Sequence, residues 1–167
     1  MERSNLTEAA KNWINGRWNN GGKIRQAVSP STGQPLGNYL DIGPDEARQA
    51  IEAARTAFDT TSWSRERSLR SRALFELADE VAIRMDEMAI QLAREGGKLL
   101  AQTQWELALT VDWLRYGAAT ALLQTGGRAL EAAPGVHFHS DPEPLGVVGV
   151  ISPWNSPIIL SVRAVAP

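Results

Sequence analysis

Hydrophobic and polar positions divide the chain into three regions, and the first region, residues 12–40, is typical of extended chain. Apolar residues flank the pair Asn15-Gly16, which predicts a two-residue β-hairpin turn. A loop rich in Pro and Gly comes next, and the segment from Leu36 to Leu40 then predicts another short strand. The sequence therefore begins with a small β region.

The second region has apolar residues at helical spacing. The run from Gly43 to Glu46 is typical of a helix start, because Pro and acidic side chains suit the first turn. After a break at Ser62–Ser64, with Ser64 as the expected N-cap, an apolar stripe runs from Leu69 to Leu92 and stops at Gly96-Gly97. The stripe is long enough for two helices, but its pattern does not place a break.

A further helix is predicted over about residues 100–124, before Gly126-Gly127. Its apolar residues recur on one face, namely Leu107, Val111, Leu114, Ala118 and Leu122. The second region therefore predicts a layer of helices.

The third region changes character. Val136–His139 alternates like a strand, residues 141–144 form a polar link, and Gly146–Ile151 is a short β-branched run that suits a strand buried on both faces of a parallel sheet. A new apolar segment begins at Ile158. A parallel strand needs neighbours reached through crossovers of a dozen or more residues, so the pattern predicts an α/β fold of which this is the first sheet strand.

Composition and charge narrow the function classes. The chain has 167 residues, room for one domain, with 17 Lys+Arg against 19 Asp+Glu and a formal charge of −2. This balance gives no attraction for nucleic acid or anionic membrane, so neither partner is expected. The charged N-terminus and the lack of a long apolar run predict a cytoplasmic protein. The absence of Cys excludes disulfides and a cysteine nucleophile within these residues.

The best candidate site from spacing alone is the segment from Ile151 to Asn155. Ligands of open α/β sheets bind beyond the carboxyl ends of strands, where this segment would lie. The alternative interpretation makes Trp154 a core aromatic residue and Asn155 a turn residue or helix N-cap.

Four segments resemble the NAD(P)-dependent aldehyde dehydrogenase family, in the right order. The segment from Glu143 to Pro157 is similar to the family pattern E-P-x-G-V-V-G-x-I-x-P-W-N-x-P, which is highly specific. Trp13–Trp18 resembles the opening I-N-G-x-W, Val28–Gly33 the N-P-x-T-G turn, and Arg94–Ala101 the E-x-G-K-P-L segment. Residues 1–167 would then form part of the family's N-terminal, cofactor-binding domain, about the first third of a member.

The resemblance implies roles for individual residues. Ile151, Ser152, Pro153 and Trp154 match the stretch that lines the NAD or NADP cleft, and Asn155 matches the side-chain amide of the oxyanion hole. A neutral amide can stabilise a developing alkoxide without being titrated. The family's substrates are small-molecule aldehydes, and residues 126–143 correspond to strands that pair between subunits, so a homo-oligomer is expected for the full-length form.

In the family's mechanism, a Cys thiolate attacks the aldehyde, a hydride passes to the cofactor, and an activated water hydrolyses the thioester. The matching Cys and Glu lie beyond the family position that corresponds to Pro167, so this chain alone is expected to be inactive. The alternative is a non-enzymatic module that binds protein partners through its helices and exposed strands. Two residues depart from the pattern, Leu99 in place of Pro and Ser156 in place of an aromatic residue.

Other candidates are weaker. His137 and His139 share one face of a predicted strand, but no third ligand is evident and no metal site is expected. Lys98 belongs to the helical layer and lacks the spacing of a phosphate-binding loop.

Overall fold

The structure is a computed structural model that describes residues 8–123, 127–140 and 143–166. Its strands are β1 (Ala9–Ala10), β2 (Asn12–Ile14), β3 (Arg17–Asn19), β4 (Lys23–Val28), β5 (Pro35–Asp41), β6 (Ala129–Ala133) and β7 (Val136–His139). Its helices are α1 (Pro44–Thr60), α2 (Arg67–Ile83), α3 (Met85–Gly96), α4 (Leu100–Thr120) and α5 (Pro157–Val165).

The N-terminal strands confirm the predicted β region. β5 is the central strand of a three-stranded sheet, pairing parallel with β1 and antiparallel with β4. β2 and β3 form a separate antiparallel hairpin in which Trp13 lies opposite Trp18. The two indole rings meet edge to face with centroids 4.9 Å apart, a geometry that favours this register.

The hairpin turn and the start of the first helix form where the sequence predicts them. Asn15 and Gly16 have φ angles of 51° and 73°, the positive values that a two-residue hairpin turn requires. Pro44 begins α1, and the Glu46 carboxylate accepts a hydrogen bond from the backbone N–H of Gly43 at 3.0 Å. This bond satisfies one of the free donors at the helix N-terminus.

The long apolar stripe consists of two helices that separate at Arg84. α2 ends at Ile83 and α3 begins at Met85, without a Gly or Pro between them. α3 then ends as predicted, because Gly97 adopts a left-handed conformation with φ 64°. The prediction of Ser64 as N-cap is wrong, because Ser62–Ser64 forms a 3-10 turn and Glu66 occupies the N-cap of α2.

The core lies between the helices, with α4 packed against α2, α3 and α5. Its buried apolar residues are Ala78, Val81, Ala89, Leu107, Val111 and Leu114. α4 ends at Thr120, before the predicted end, so Leu122, which was predicted to share the apolar face of this helix, lies after it and is 53% exposed. Gly126 and the first half of the predicted link, Asp141-Pro142, lie outside the described residues.

The expected parallel strand over residues 146–151 is wrong for this chain. Residues 143–156 are all described, and no strand forms among them. Ile151 is 99% exposed rather than buried. A strand exists only through hydrogen bonds to a neighbour, and no described strand pairs with this segment. The α/β class itself holds, since the N-terminal sheet and the helical layer are both present.

The apolar segment that begins at Ile158 is the helix α5. Ile159 and Ala166 are buried, while Ile158 and Val162 pack against the core. The Arg163 guanidinium lies 5.3 Å from the ring centroid of Trp113 on α4. Among the described residues, no helix combines the length and apolar character needed to cross a membrane.

Candidate functional site

The segment from Ile151 to Ser156 is an exposed turn that leads into α5, and we call it the 151–156 turn. Trp154 is 87% exposed, so its interpretation as a core aromatic residue is wrong. Asn155 is an exposed turn residue, and the N-cap of α5 is Ser156, which excludes Asn155 as that cap. Pro153 is exposed and Ser152 is half-buried. The candidate residues therefore lie together on an accessible surface.

A hydrogen bond from Ser152 holds the 151–156 turn against the first turn of α5, and a second bond within α5 shares its acceptor. The Ser152 hydroxyl donates to the carbonyl oxygen of Pro157 at 2.8 Å, and the Ser161 hydroxyl donates to the same oxygen at 2.7 Å. The turn is thus closed by a contact between residues five positions apart, which limits its conformational freedom.

Lys98, at the junction between α3 and α4, contacts the turn directly. Its Nζ lies 2.6 Å from Glu106 Oε2, 3.0 Å from the carbonyl oxygen of Asn155 and 3.4 Å from Ser156 Oγ. An ammonium group has three donors, and here each donor has an acceptor. Two of the three acceptors belong to the residues at the end of the turn.

Glu106 is the buried partner in this network, with its side chain only 1% exposed. Besides Lys98, its carboxylate accepts a hydrogen bond from the backbone N–H of Ile158 at 3.2 Å. The Ser156 side chain makes no capping hydrogen bond, so Glu106 takes the role of an N-cap for α5 from a different helix. A negative charge at a helix N-terminus is also favourable to the helix dipole.

Lys98 and Glu106 were not predicted as site residues from the sequence, although a signal for Glu106 was present. Glu106 immediately precedes Leu107 and shares the buried face of α4 with Thr103 and Thr110. A charged residue among apolar positions at helical spacing indicates a buried charge, which needs a partner. The partner could not be identified from local spacing, because the bonds from Lys98 to the turn span 57 and 58 residues.

The 151–156 turn can offer a ligand a hydrogen-bond donor and apolar surface. Among the described residues, no hydrogen bond engages the side-chain amide of Asn155, which leaves a neutral donor available to a ligand. Ile151 and Trp154 provide exposed apolar surface beside it. His137 and His139 lie exposed on β7, and in the part of the chain that the structure describes no cluster of three or more metal-ligating side chains occurs.

Comparison with known proteins gives a consistent result over nearly the whole chain. The model of the aldehyde dehydrogenase family matches residues 17–167. Acetaldehyde dehydrogenase 2 from Cupriavidus necator is 32% identical over 163 residues, which cover 94% of this chain and 31% of that protein. The human 2-aminomuconic semialdehyde dehydrogenase is 31% identical over 168 residues, covering 100% of this chain and 34% of that protein.

Solved structures agree with the sequence relatives. The NAD-dependent aldehyde dehydrogenase from Sinorhizobium meliloti superposes with a TM-score of 0.84 at 30% identity, covering 96% of this chain and 33% of that one. A betaine aldehyde dehydrogenase variant from Staphylococcus aureus in complex with NAD+ gives a TM-score of 0.86 at 25% identity, covering 95% of this chain and 32% of that one. The chain spans about a third of the length of the curated relatives it matches, and the family match includes the 151–156 turn.

Proposed function

Because the chain belongs to the aldehyde dehydrogenase family, we propose that it forms the N-terminal part of an enzyme that oxidises an aldehyde to a carboxylate with NAD+ or NADP+. The observation that carries this proposal is the exposed 151–156 turn, which presents the Asn155 amide, without a hydrogen bond to any described residue, beside two apolar side chains. The relatives are named for different aldehydes, so the proposal names the substrate by its class, an aldehyde.

Asn155 is proposed as the oxyanion donor. Nucleophilic attack on an aldehyde carbon opens its C=O double bond and leaves negative charge on the oxygen. A side-chain amide that donates to this oxygen stabilises the charge without changing its own protonation state. One such donor is typically worth about 10²–10³ in rate.

Ile151, Ser152, Pro153 and Trp154 are proposed to contact the cofactor. NAD(P)+ supplies the acceptor for the hydride that leaves the aldehyde carbon. The residues fit such a group, because the exposed Ile151 and Trp154 side chains offer apolar faces to flat ring systems. Burial of these faces against a cofactor would also remove apolar surface from water.

The cysteine nucleophile and the glutamate that activates water are proposed to come from outside these residues. The chain contains no Cys, so no thiolate within it can form the covalent intermediate. By itself, therefore, the chain should not turn over aldehydes.

We further propose that the full-length form is a homo-oligomer that pairs through residues 126–143. In the described part of this segment, β6 and β7 form an antiparallel hairpin that pairs with no other described strand. All residues of both strands are exposed. A hairpin with unpaired edges favours pairing with a second chain.

The proposal is tested by comparing the full-length protein with residues 1–167 alone. NAD(P)H formation is followed with NAD+ and NADP+ over a panel of aldehydes, and the carboxylate product is quantified. We expect turnover in the full-length protein and none in the 167-residue chain. Folded full-length protein that oxidises no aldehyde would contradict the proposed function.

A non-enzymatic protein-binding module is the second candidate. Large apolar side chains are exposed on its helices and on the β6–β7 hairpin, for example Ile83 at 79% and Phe138 at 62%. Exposed apolar surface of this kind is typical of interaction sites. The codons after residue 167 discriminate between the two, since continued coding for a family sequence with a later Cys supports the enzyme and an immediate stop supports the module.

A further inference from the structure

We propose that Lys98 and Glu106 are positioning residues that fix the 151–156 turn, and through it the amide of Asn155. The inference rests on the proposed role of Asn155 in aldehyde oxidation. Neither side chain needs to touch the substrate, because both act on the backbone from which the amide extends. The geometry thereby links a partly buried ion pair to the rate of the chemical step.

Lys98 binds the turn at the residue that carries the donor. One of its hydrogen bonds goes to the carbonyl oxygen of Asn155 itself, at 3.0 Å, and another reaches Ser156 Oγ at 3.4 Å. Because the carbonyl belongs to the residue whose side chain donates, a shift of the ammonium group changes the position of the Asn155 backbone. The contact between Lys98 and Asn155 is thus a direct connection between the helical layer and the candidate oxyanion donor.

Glu106 fixes both the ammonium group and the chain on the far side of the turn. One carboxylate oxygen lies 2.6 Å from Lys98 Nζ, and the other accepts the N–H of Ile158 at 3.2 Å. Lys98 therefore binds the turn at Asn155 and Ser156, and Glu106 binds the chain just after it, at the first turn of α5. A single buried carboxylate joins the two attachments.

The base of this network lies in the packed core. Glu106 lies on the buried face of α4 beside Leu107, a residue of the hydrophobic core. Thr110 Oγ1 donates to the carbonyl oxygen of Glu106 at 2.8 Å, as a buried hydrogen bond within the helix. Packed interiors resist displacement, so a carboxylate anchored there has a well-defined position.

The buried charge of Glu106 requires an explanation, whereas a charge in a surface ion pair does not. A buried carboxylate is strongly unfavourable unless it is paired and hydrogen-bonded, whereas an apolar side chain would fill the same position of α4 without that cost. By contrast, Arg115 and Asp79 form an exposed pair at 3.2 Å between α4 and α2. Among the described residues, these two side chains bond to each other and not to the 151–156 turn, so they provide a matched control.

A donor to a developing alkoxide is sensitive to small displacements. Misplacement of a reacting group by about 1 Å can cost about 10²-fold in rate. Because the alkoxide exists only after nucleophilic attack, loss of alignment lowers kcat and leaves ground-state binding of the cofactor largely intact. A residue with a merely structural role would lower the melting temperature without lowering turnover per folded molecule.

The experiment uses the full-length enzyme with Lys98→Met, Glu106→Gln, the double variant, and Asp79→Asn as control. Lys98→Met removes the contact to the turn, and Glu106→Gln removes the charge but keeps an acceptor for the Ile158 N–H. We expect each single variant to lower kcat about 10- to 100-fold, with KM for NAD(P)+ nearly unchanged. The double variant should be about as slow as the slower single variant, because both act on one turn.

Hydrogen–deuterium exchange on the same proteins supplies a readout independent of activity. We expect faster exchange for the peptide that covers residues 151–158 in the Lys98 and Glu106 variants, with peptides from α2 and α3 unchanged. Asp79→Asn should match the wild type in both kcat and exchange. If Lys98→Met does not fold because it leaves the buried Glu106 carboxylate unpaired, Glu106→Gln decides alone, since the ammonium group that it leaves belongs to a side chain that is 21% exposed. A folded Glu106→Gln enzyme with wild-type kcat then overturns the inference.

Two results overturn the inference. One is a folded Lys98→Met enzyme with wild-type kcat, and the other is unchanged exchange in residues 151–158. Asn155→Ala, measured in parallel, separates this failure from that of the proposed function. If Asn155→Ala lowers kcat while Lys98→Met does not, only the positioning role of Lys98 and Glu106 is refuted. If Asn155→Ala leaves kcat unchanged, the oxyanion role of Asn155 is refuted, and so is the contribution of Lys98 and Glu106 to the rate.

Discussion

Gly97, which has no side chain, determines the conformation of the junction between α3 and α4 in which Lys98 lies. Its φ of +64° is left-handed, and a Cβ added there would lie 2.9 Å from Pro30 Cγ. A left-handed conformation costs an ordinary residue about 1–2 kcal/mol. The close approach to Pro30 adds a steric cost, so the end of α3 depends on glycine for two reasons.

We expect Gly97→Ala to lower the free energy of unfolding by more than about 1–2 kcal/mol, the cost of the left-handed conformation alone. Gly16→Ala is the matched control, since Gly16 has φ +73° and nothing within 4 Å of an added Cβ. Urea denaturation of both variants in dilute solution measures the difference. Equal losses in the two variants would show that the Pro30 contact contributes nothing.

At the scale of elements, signals that act over a few residues predicted the structure well. The Asn15-Gly16 turn and the Pro44 helix start are both confirmed, because turn geometry and helix capping depend on adjacent residues. The break at Arg84 has no such local signal. Packing of α3 against α4 accompanies that break, and a single apolar stripe does not reveal such packing.

The N-terminus of α1 offers an element-scale prediction. Glu46→Ala should lower the free energy of unfolding by about 1 kcal/mol, because it leaves the Gly43 N–H without its carboxylate acceptor. Glu52→Ala is the control, an exposed glutamate in the middle of the same helix. Thermal melting of the two variants distinguishes the effect of losing the capping hydrogen bond, which only Glu46→Ala removes, from the effect of losing one negative charge, which both remove. A Glu46→Ala protein that melts with the control would refute the capping role.

The candidate site was predictable in part. The position of the 151–156 turn came from the specific Pro153-Trp154-Asn155 pattern, and the structure brings these residues together on one exposed turn. The network beneath the turn was not predictable, because Lys98 meets Asn155 only after α4 has folded back along α3. The prediction of a strand over residues 146–151 was wrong for a related reason, since a strand forms only by hydrogen bonding to a neighbouring strand, whatever its local pattern.

At the scale of the whole molecule, apolar surface is distributed unevenly. α5 is packed on the core, so the apolar residues that follow Ile158 find partners within this chain. The segment before it is different, because Leu145 is 90% exposed and Ile151 is almost fully exposed. Clustered exposed apolar residues on a chain of this size favour association.

We therefore expect residues 1–167 in isolation to associate in a concentration-dependent manner, as measured by light scattering. The double substitution Leu145→Ser with Ile151→Ser should reduce the association. Leu100→Ser, at a partly exposed position on α4, serves as a control outside this segment. A clean monomer with a sharp, cooperative melting transition would count against the prediction.

The central claim is that the 151–156 turn presents Asn155 as an oxyanion donor, and kinetics of Asn155→Ala in the full-length enzyme test it most directly. We expect a fall in kcat of about 10²–10³ with little change in cofactor binding, because the amide acts mainly in the transition state. Asn20→Ala, at an exposed position between β3 and β4, is the control. A lowered melting temperature with unchanged kcat would contradict the claim and leave Asn155 as a turn residue only.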